Sequence, residues 1–436
     1  MAFDGCGSDG LKSSQSQKGF RHPIFGDLSR KDTVVMGRGN ADAFAVVEDN
    51  PFYIHLSITG RCYARCQGCV NSRVTAFFEG DRSDFIPIAD TRPERDAACI
   101  LNLVKASGPG RTVICFYGGE PFLAAEKMNR VYQLLNQSEM ALRFKYMVYT
   151  TGELLKSALA DFPELVCNIW LYSVSIDGSR EQHERFRSGT RLERIHSSLA
   201  ALKVVRKGSV LMWSILREEQ SLSDCFEEFL FLKNKGFADQ FFWHWVEAAE
   251  PFQDFETYLR RYEKDLSAIM GVYLQWISRG RILPIAHVNE LIVYLLAGKK
   301  RNASACGVEQ AMNFDLIDGK IHSCADLPAE LAIGRIEADG TPVVNTDNLA
   351  FLVDYKKDLG CYSCGVHSYC GGRCPVQAFT SGYLRMLQYC QLMRLHVGIV
   401  KTYCDDIVAC LKKSGMNLQD IYDQSAFWAQ FTDVTP

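Results

Sequence analysis

The amino-acid sequence predicts an α/β protein: a partial, TIM-like barrel of six β-then-α units, followed by a small cysteine-rich domain and a C-terminal helix. Short β-rich runs alternate with longer segments of helical spacing between about residue 50 and residue 300, and this alternation favours a parallel sheet. From about residue 303 to 392 the chain is instead rich in glycine and cysteine, with few long periodic segments. The predicted parts are a partly disordered N-terminal extension, the barrel, the cysteine-rich domain and a helical tail, at residues 1–49, 50–300, 301–395 and 396–436.

The six predicted strands are rich in β-branched and aromatic residues and cover Tyr53–Ile58, Thr112–Tyr117, Arg143–Tyr149, Trp170–Ile176, Val210–Ile215 and Gln240–Val246. Helical spacing predicts helices at Glu94–Lys105, Ala125–Leu135, Leu192–Arg206, Leu222–Lys235, Phe255–Arg279, Val288–Leu296 and Leu392–Lys412. Several strands end in polar or glycine-rich loops, which begin near residues 59, 118, 150 and 177. Because the active site of a βα barrel lies in the loops at the carboxyl ends of its strands, we expect the functional residues there.

Composition and charge narrow the classes of function. The 436 residues are 47% apolar and 23% charged with a net charge of −3, and no basic run is interleaved with aromatic residues, which argues against a nucleic-acid partner. The N-terminus has no apolar core of signal-peptide length, and the longest apolar runs are too short to cross a bilayer. We therefore expect a cytoplasmic protein without a membrane partner. Its seventeen cysteines then point to metal ligation or redox chemistry, because the cytosol keeps thiols reduced.

The first group of cysteines, Cys62, Cys66 and Cys69, directly follows the first predicted strand. Thiolates are the ligands of iron–sulfur clusters, and three of them on one loop can hold three irons of a four-iron cube. The fourth iron then stays open to a small molecule that has adjacent amine and carboxylate groups. The alternatives are a zinc site, for which a Cys-x-x-Cys spacing is common, or three buried thiols.

This Cys-x3-Cys-x2-Cys pattern resembles the signature of the radical S-adenosylmethionine superfamily, although Gly68 replaces the usual aromatic residue before the third cysteine. Two further segments resemble motifs of that family. The GGEP loop, which we define as Gly118, Gly119, Glu120 and Pro121, corresponds to the loop that binds the methionine amino group in relatives. The resemblance implies that the chain holds a four-iron cluster and S-adenosylmethionine in this half.

The other segment is Ser175-Ile176-Asp177-Gly178, continued by Arg187, which resembles the family's strand end near the ribose and carboxylate of the cofactor. The resemblance implies that Ser175 contacts S-adenosylmethionine. It gives Asp177 and Arg187 the same role, but these two fit a turn and a salt bridge equally well.

The second group of cysteines resembles the SPASM domain, which follows the catalytic domain in part of this superfamily. Its pattern is Cys306, Gly319-x4-Cys324, Cys361-x2-Cys364-x5-Cys370-x3-Cys374 and Cys390. The resemblance implies two auxiliary [4Fe-4S] clusters and so three clusters in all. Cys306, Cys324 and Cys374 would hold the inner auxiliary cluster, which lacks a fourth cysteine. Cys361, Cys364, Cys370 and Cys390 would hold the outer one. A zinc ribbon at Cys361, Cys364, Cys370 and Cys374 is the alternative.

The resemblance implies a radical S-adenosylmethionine oxidoreductase of the peptide- or protein-modifying maturase type. Such an enzyme cleaves the cofactor to a 5′-deoxyadenosyl radical, removes a hydrogen atom from its substrate and passes an electron to the auxiliary clusters, giving a crosslink or an oxidation. It needs a flavodoxin- or ferredoxin-type electron donor. Sixty-one residues precede Cys62, too few for the leader-binding domain of many relatives, so we expect leader recognition by a separate leader-binding protein or by a different surface of this chain.

Three other functions stay open. In sulfatase-type formylglycine maturases an Asp directly follows the cysteine of the Gly-x4-Cys motif and acts as the base; here Ala325 has that position and Asp326 is the candidate. The chain also fits a small-molecule dehydrogenase acting on a sugar or cyclitol, or an electron carrier without enzymatic activity. Trp243, His244 and Trp245 either line a substrate cavity or pack in the core.

Overall fold

The structure is a computed structural model, which describes residues 52–69, 90–107, 110–301, 303–310, 313–327, 329–345 and 349–432. The predicted N-terminal extension, residues 1–49, lies outside the described residues.

The described residues form ten strands of one sheet and a separate pair of short strands. The strands are β1 Phe52–Thr59, β2 Arg65–Cys66, β3 Thr112–Gly118, β4 Phe144–Thr150, β5 Ile169–Ser175, β6 Arg187–Ser188, β7 Ser209–Leu216, β8 Gln240–Trp245, β9 Asn313–Ile317, β10 Lys320–His322, β11 Gly334–Ile336 and β12 Pro342–Val344. The sheet has the order β12-β11-β10-β9-β1-β3-β4-β5-β7-β8, and β2 pairs with β6.

The six predicted barrel strands are β1, β3, β4, β5, β7 and β8, and every neighbouring pair among them is parallel. The sheet also continues into the cysteine-rich region, because β9 pairs in parallel with β1 and is followed by the antiparallel strands β10 to β12. The predicted α/β partial barrel is therefore confirmed, and one edge of its sheet is extended by strands that the periodicity did not reveal.

The α-helices are α1 Pro93–Ala106, α2 Ala125–Asn136, α3 Leu155–Asp161, α4 Pro163–Asn168, α5 Arg180–Phe186, α6 Leu192–Val205, α7 Leu222–Lys235, α8 Phe255–Ile277, α9 Ala286–Ala297, α10 Tyr355–Asp358, α11 His367–Cys370, α12 Pro375–Thr380, α13 Tyr383–Thr402, α14 Cys404–Ser414 and α15 Leu418–Gln424. The single predicted helix Leu392–Lys412 is wrong in its bounds. The structure has α13 and α14 there, separated at Tyr403.

Side chains of each strand point alternately to the two faces of the sheet, and both faces carry buried apolar residues. One face packs on the surrounding helices, and the other carries a smaller cluster that includes Tyr53, Met147 and Phe431. Phe431 ends a 3₁₀ helix at Ala426–Phe431, and its ring centroid lies 4.9 Å from that of Trp170 at the start of β5. The end of the chain therefore closes the barrel at the amino ends of its strands, and the carboxyl ends stay available for a site.

Candidate functional site

The cysteine loop, which we define as residues 60–69, carries Cys62, Cys66 and Cys69 at the carboxyl end of β1. It is held by the pairing of β2 with β6 and by the amide of Cys69, which donates to the carbonyl of Cys66 at 3.3 Å. Burial raises the pKa of the Cys62 thiol to about 12, and the neighbouring thiols add to this rise. A thiol with such a pKa is neutral at pH 7 and becomes a thiolate when a metal cation displaces the proton.

The GGEP loop packs directly on the cysteine loop. The amide of Gly119 donates to the carbonyl of Thr59 at 2.8 Å, and the amide of Glu120 donates to the carbonyl of Arg61 at 2.8 Å. A Cβ atom at Gly118 would lie 2.2 Å from the carbonyl oxygen of Thr59, and one at Gly119 would lie 2.2 Å from that of Arg61. The two backbones approach so closely that only glycine fits at both positions, which would not be needed in an isolated turn.

Glu120 lies fully buried beside the cysteine loop. Its carboxylate accepts hydrogen bonds from the hydroxyl of Thr150 at 2.8 Å, the amide of Thr151 at 2.8 Å and the amide of Phe122 at 3.2 Å. Burial nevertheless raises the pKa of Glu120, and the hydrogen bonds offset only part of the rise. A cation bound here would stabilise the ionised form, so the site suits an ammonium group next to the three thiols.

Asp177 is the centre of a buried ion cluster at the carboxyl end of β5. Its carboxylate accepts from Nε of Arg187 at 2.7 Å and from Nη1 of Arg217 at 2.9 Å. Burial acts to raise the pKa of Asp177, but the two guanidinium groups outweigh it and hold the pKa well below its usual range. The salt bridge that the sequence left open for Asp177 and Arg187 is therefore present.

The same two arginines reach the cysteine loop. Nη1 of Arg187 lies 3.9 Å from the sulfur of Cys66, and Nε of Arg217 donates to the carbonyl of Gln67 at 2.6 Å. The ion cluster thus holds the cysteine loop at Cys66 and Gln67, whereas the GGEP loop contacts it at Arg61. Sequence reasoning missed Arg217, whose one signal is its place directly after β7.

Ser175 lies at the carboxyl end of β5, where it is opposite Trp213 of β7 in the register. It is partly buried, and its contact with S-adenosylmethionine stays a prediction. The aromatic run at the end of β8 divides between the two faces of the sheet. Trp243 and Trp245 are fully buried among core residues, whereas His244 is on the other face with its Nδ1 atom 3.4 Å from Glu247. The two tryptophans are therefore core residues.

The four cysteines predicted for the outer auxiliary cluster line one cavity. The four thiols share the wall of this cavity with apolar side chains such as Val366 and Met393. Among the residues that the structure describes, no three His, Cys, Asp or Glu side chains have the geometry to hold a single metal ion. Four thiols around one cavity are the donor set of a four-iron cluster.

The three cysteines predicted for the inner cluster, Cys306, Cys324 and Cys374, pack against one apolar group that contains Val308 and Leu352. Carboxylates lie near two of these thiols. Besides burial, the charges of Asp326 and Asp315 raise the pKa of Cys324, and those of Glu247 and Asp326 raise the pKa of Cys374. Asp315 also lies 2.6 Å from Nδ1 of His55. The structure therefore brings the three thiols and Asp326 into one region, at the edge where β9 joins the barrel.

No helix within the described ranges has the length and apolar character of a membrane span. A protein-family model described as a 4Fe-4S single cluster domain matches residues 54–196. This range contains the cysteine loop, the GGEP loop and Asp177. No curated protein matches the chain by sequence.

Solved structures resemble the chain more extensively. The chain is similar to the anaerobic sulfatase-maturating enzyme anSMEcpe with bound AdoMet, with a TM-score of 0.61 and 17% identity over 82% of this chain and 99% of that chain. The same enzyme with bound AdoMet and the Cp18Cys peptide gives a TM-score of 0.58 and 17% identity, over 81% of this chain and 99% of that one. The chain therefore shares the fold of anSMEcpe over most of its length.

Proposed function

We propose that the chain is a radical S-adenosylmethionine enzyme that removes hydrogen from a peptide or protein substrate and so modifies it after translation. The observation that carries this proposal is the packing of the GGEP loop on the cysteine loop, which places a buried carboxylate beside three thiols. An electron carrier needs no such carboxylate. The whole constellation is at the carboxyl end of a barrel, where such chemistry is located in other βα barrels.

Each part of the site then has a role. Cys62, Cys66 and Cys69 hold the radical-forming cluster, and Glu120 accepts hydrogen bonds from the ammonium group of S-adenosylmethionine. Ser175 contacts the same cofactor. When the cluster and the cofactor are bound, they supply the 5′-deoxyadenosyl radical that attacks the substrate.

The chain's own residues orient these groups and exclude water from them. Gly118 and Gly119 let the GGEP loop approach the cysteine loop, and Pro121 starts the following 3₁₀ helix. Asp177 and Arg187 act together with Arg217 at a second point of the cysteine loop, beside Cys66 and Gln67. We propose that these charged residues position the cysteine loop and act on the cofactor only through that loop.

A peptide is the preferred substrate class because anSMEcpe, which has this fold, is known with a bound peptide. Formylglycine formation on a sulfatase-type peptide is the second candidate. Asp326 supports this candidate. Besides burial, its charge raises the pKa of Cys324, of Cys374 and of Tyr117, so Asp326 lies where the barrel meets the inner cysteines. In this candidate Asp326 is the base. The three [4Fe-4S] clusters, the flavodoxin- or ferredoxin-type donor, a separate leader-binding protein and the cytoplasmic location belong to the same proposal.

The test is S-adenosylmethionine cleavage by the anaerobically reconstituted protein with dithionite. We expect 5′-deoxyadenosine from the wild type, and we expect Glu120→Gln to bind the cofactor about 10- to 100-fold more weakly, the usual value of a charged hydrogen bond. The matched control is Glu126→Gln, an exposed carboxylate in the next helix, which leaves binding unchanged. A wild-type protein with full cluster content that forms no 5′-deoxyadenosine would refute the proposal.

The two candidate reactions differ in one further measurement. A synthetic peptide with the Cys residue of a sulfatase site is incubated with the same protein, and its mass is followed. Formylglycine formation requires oxidation of that Cys and fails in Asp326→Asn. A peptide that is left unchanged while 5′-deoxyadenosine is formed favours a different peptide modification.

A further inference from the structure

The two auxiliary cysteine sets differ in the sign of the charge around them. Arg373 lies between Cys370 of the outer set and Cys374 of the inner set, and it lines the outer cavity. Its side chain is buried, with the guanidinium carbon 4.2 Å from the ring centroid of Tyr389 and 5.2 Å from that of Trp245. A cation is therefore fixed in the wall of the cavity by two aromatic faces.

The backbone of Arg373 is also unusual. Its φ angle is +66°, in the left-handed region, and within the described ranges the other non-glycine residue with positive φ is Asp318. A non-glycine residue adopts this conformation only at an energetic cost. Arg373 directly follows Gly371 and Gly372, which also have positive φ, and directly precedes Cys374. Side-chain bonds to the carbonyl of Trp245 at 3.4 Å and to Gln377 at 3.2 Å hold the guanidinium in place.

Further positive side chains act on the outer thiols. Burial raises the pKa of Cys370 and of Cys390. Arg373 and Arg301 oppose this rise at Cys370, and Arg394 and Arg373 oppose it at Cys390. Arg301 is bound to a carboxylate of its own, which offsets part of its charge. Lys356 lowers the pKa of Cys361, but it is paired with Glu309 at 2.8 Å. Arg373 lowers the pKa of two of the four thiols and lines the cavity itself, so its charge is the best placed of these four side chains.

The inner thiols have the opposite environment. The amide of Ala325, directly after Cys324, donates to the carboxylate of Asp315, and Asp326 lies two residues after Cys324. Besides burial, the charges of Glu247 and Asp326 raise the pKa of Cys374. A cluster that gains an electron becomes more negative, so nearby cations favour its reduced form and nearby carboxylates favour its oxidised form. The two sites would therefore be reduced at different potentials.

We propose that the outer auxiliary cluster has a higher reduction potential than the inner one, and that Arg373 is the residue that chiefly sets this difference. The inference rests on the proposed function, since it takes the two cysteine sets as cluster ligands. If both sets hold clusters, this order of potentials would favour transfer of one electron from the inner set to the outer set. A one-electron carrier of the flavodoxin or ferredoxin class would then take up that electron.

The first experiment uses the wild-type protein. A redox titration followed by electron paramagnetic resonance gives the potentials of the clusters, and Cys306→Ala identifies the inner signal and Cys390→Ala the outer one. We expect the outer signal to appear at the higher potential. Equal or reversed potentials would overturn the inference, and this comparison needs no arginine variant to fold.

The second experiment changes the cation. Arg373→Met removes the charge at similar length and should lower the outer potential, whereas Arg373→Lys keeps the charge and should lower it less. The control is Arg281→Met, which removes an exposed arginine stacked 4.2 Å from Trp276 and leaves both potentials unchanged. An outer potential that is unchanged in Arg373→Met would remove Arg373 from the account.

These results are separate from the test of the proposed function. If S-adenosylmethionine is cleaved but the potentials are reversed, the charge argument alone is wrong. If the potentials have the predicted order but the cofactor is never cleaved, the auxiliary sites are redox centres and the proposed enzymatic activity is wrong.

Discussion

Gly119→Ala is the most specific steric perturbation of the site. The added Cβ atom would lie 2.2 Å from the carbonyl oxygen of Arg61, 2.6 Å from its carbonyl carbon and 2.9 Å from the carbonyl oxygen of Gly60. All three contacts are with backbone atoms, so no side chain can turn aside. The GGEP loop must therefore move away from the cysteine loop.

The magnitude follows from what that movement breaks. Overpacking costs typically 1–3 kcal/mol, so we expect about that loss in the free energy of unfolding. Two backbone hydrogen bonds join the loops, from Gly119 to Thr59 and from Glu120 to Arg61, and weakening both adds roughly 1–2 kcal/mol. Because Glu120 moves with the loop, we also expect at least about tenfold weaker binding of S-adenosylmethionine, equivalent to about 1.4 kcal/mol.

The assay is denaturant unfolding of the reconstituted protein, together with equilibrium binding of S-adenosylmethionine. Gly271→Ala is the matched control, since Gly271 is within α8 and a Cβ atom there has no neighbour within 4 Å. It should leave binding unchanged and raise stability by up to about 1 kcal/mol, the helix preference for Ala over Gly. Wild-type stability and wild-type cofactor binding in Gly119→Ala would refute the packing of the two loops.

Three further predictions test other parts of the account. Asp177→Asn leaves two buried guanidinium groups without their shared carboxylate, so we expect a loss of about 3–5 kcal/mol in unfolding free energy and less iron bound per chain. The control is Arg180→Met, which removes an exposed ion pair with Glu184 and should cost about 0.5 kcal/mol or less. Wild-type iron content in Asp177→Asn would contradict this. Burial lowers the pKa of His183 from 6.5 to about 4, so the unfolded chain binds more protons between these values and stability falls with falling pH. Between pH 7.5 and pH 5.5 this amounts to about 1.4 kcal/mol, which His183→Gln should remove from the pH dependence of unfolding. Phe431→Ala should lower the free energy of unfolding by about 3–5 kcal/mol, because it removes the buried ring that closes one end of the barrel. Phe231→Ala truncates a half-exposed ring and should lower it far less. Equal effects of the two substitutions would contradict the closure.

Local sequence signals located the barrel well because its elements are defined by their own residues. The helix predicted at Leu222–Lys235 has those bounds in the structure, since Ser221 caps its start and Gly236 ends it in the left-handed conformation. The strands were found because both faces of a parallel sheet are buried and each strand is a short apolar run.

Other features depend on contacts between distant segments, and the sequence could not show them. Nothing near Phe431 indicates that its ring will meet Trp170 across the barrel. The start of α13 at Tyr383 was missed because Cys390, which the cysteine pattern assigned to a loop-rich domain, lies inside that helix. The break at Tyr403 has no glycine or proline to mark it.

The candidate site was predicted to the extent that it is made of motifs. The cysteine loop and the GGEP loop come together, but the ion cluster that fixes them includes Arg217, which belongs to no motif quoted from the sequence. A single arginine after a strand gives no local signal of a partner forty residues away. Its role follows from the fold alone.

The most direct test of the central claim is the iron content of the reconstituted protein measured together with 5′-deoxyadenosine formation. The account predicts about twelve irons per chain and cofactor cleavage in the wild type, and about eight irons with no cleavage when Cys62, Cys66 and Cys69 are all replaced by Ala. If that triple variant still cleaves S-adenosylmethionine, or if the wild type holds about four irons and tightly bound zinc, the assignment of the three cysteine sets is wrong.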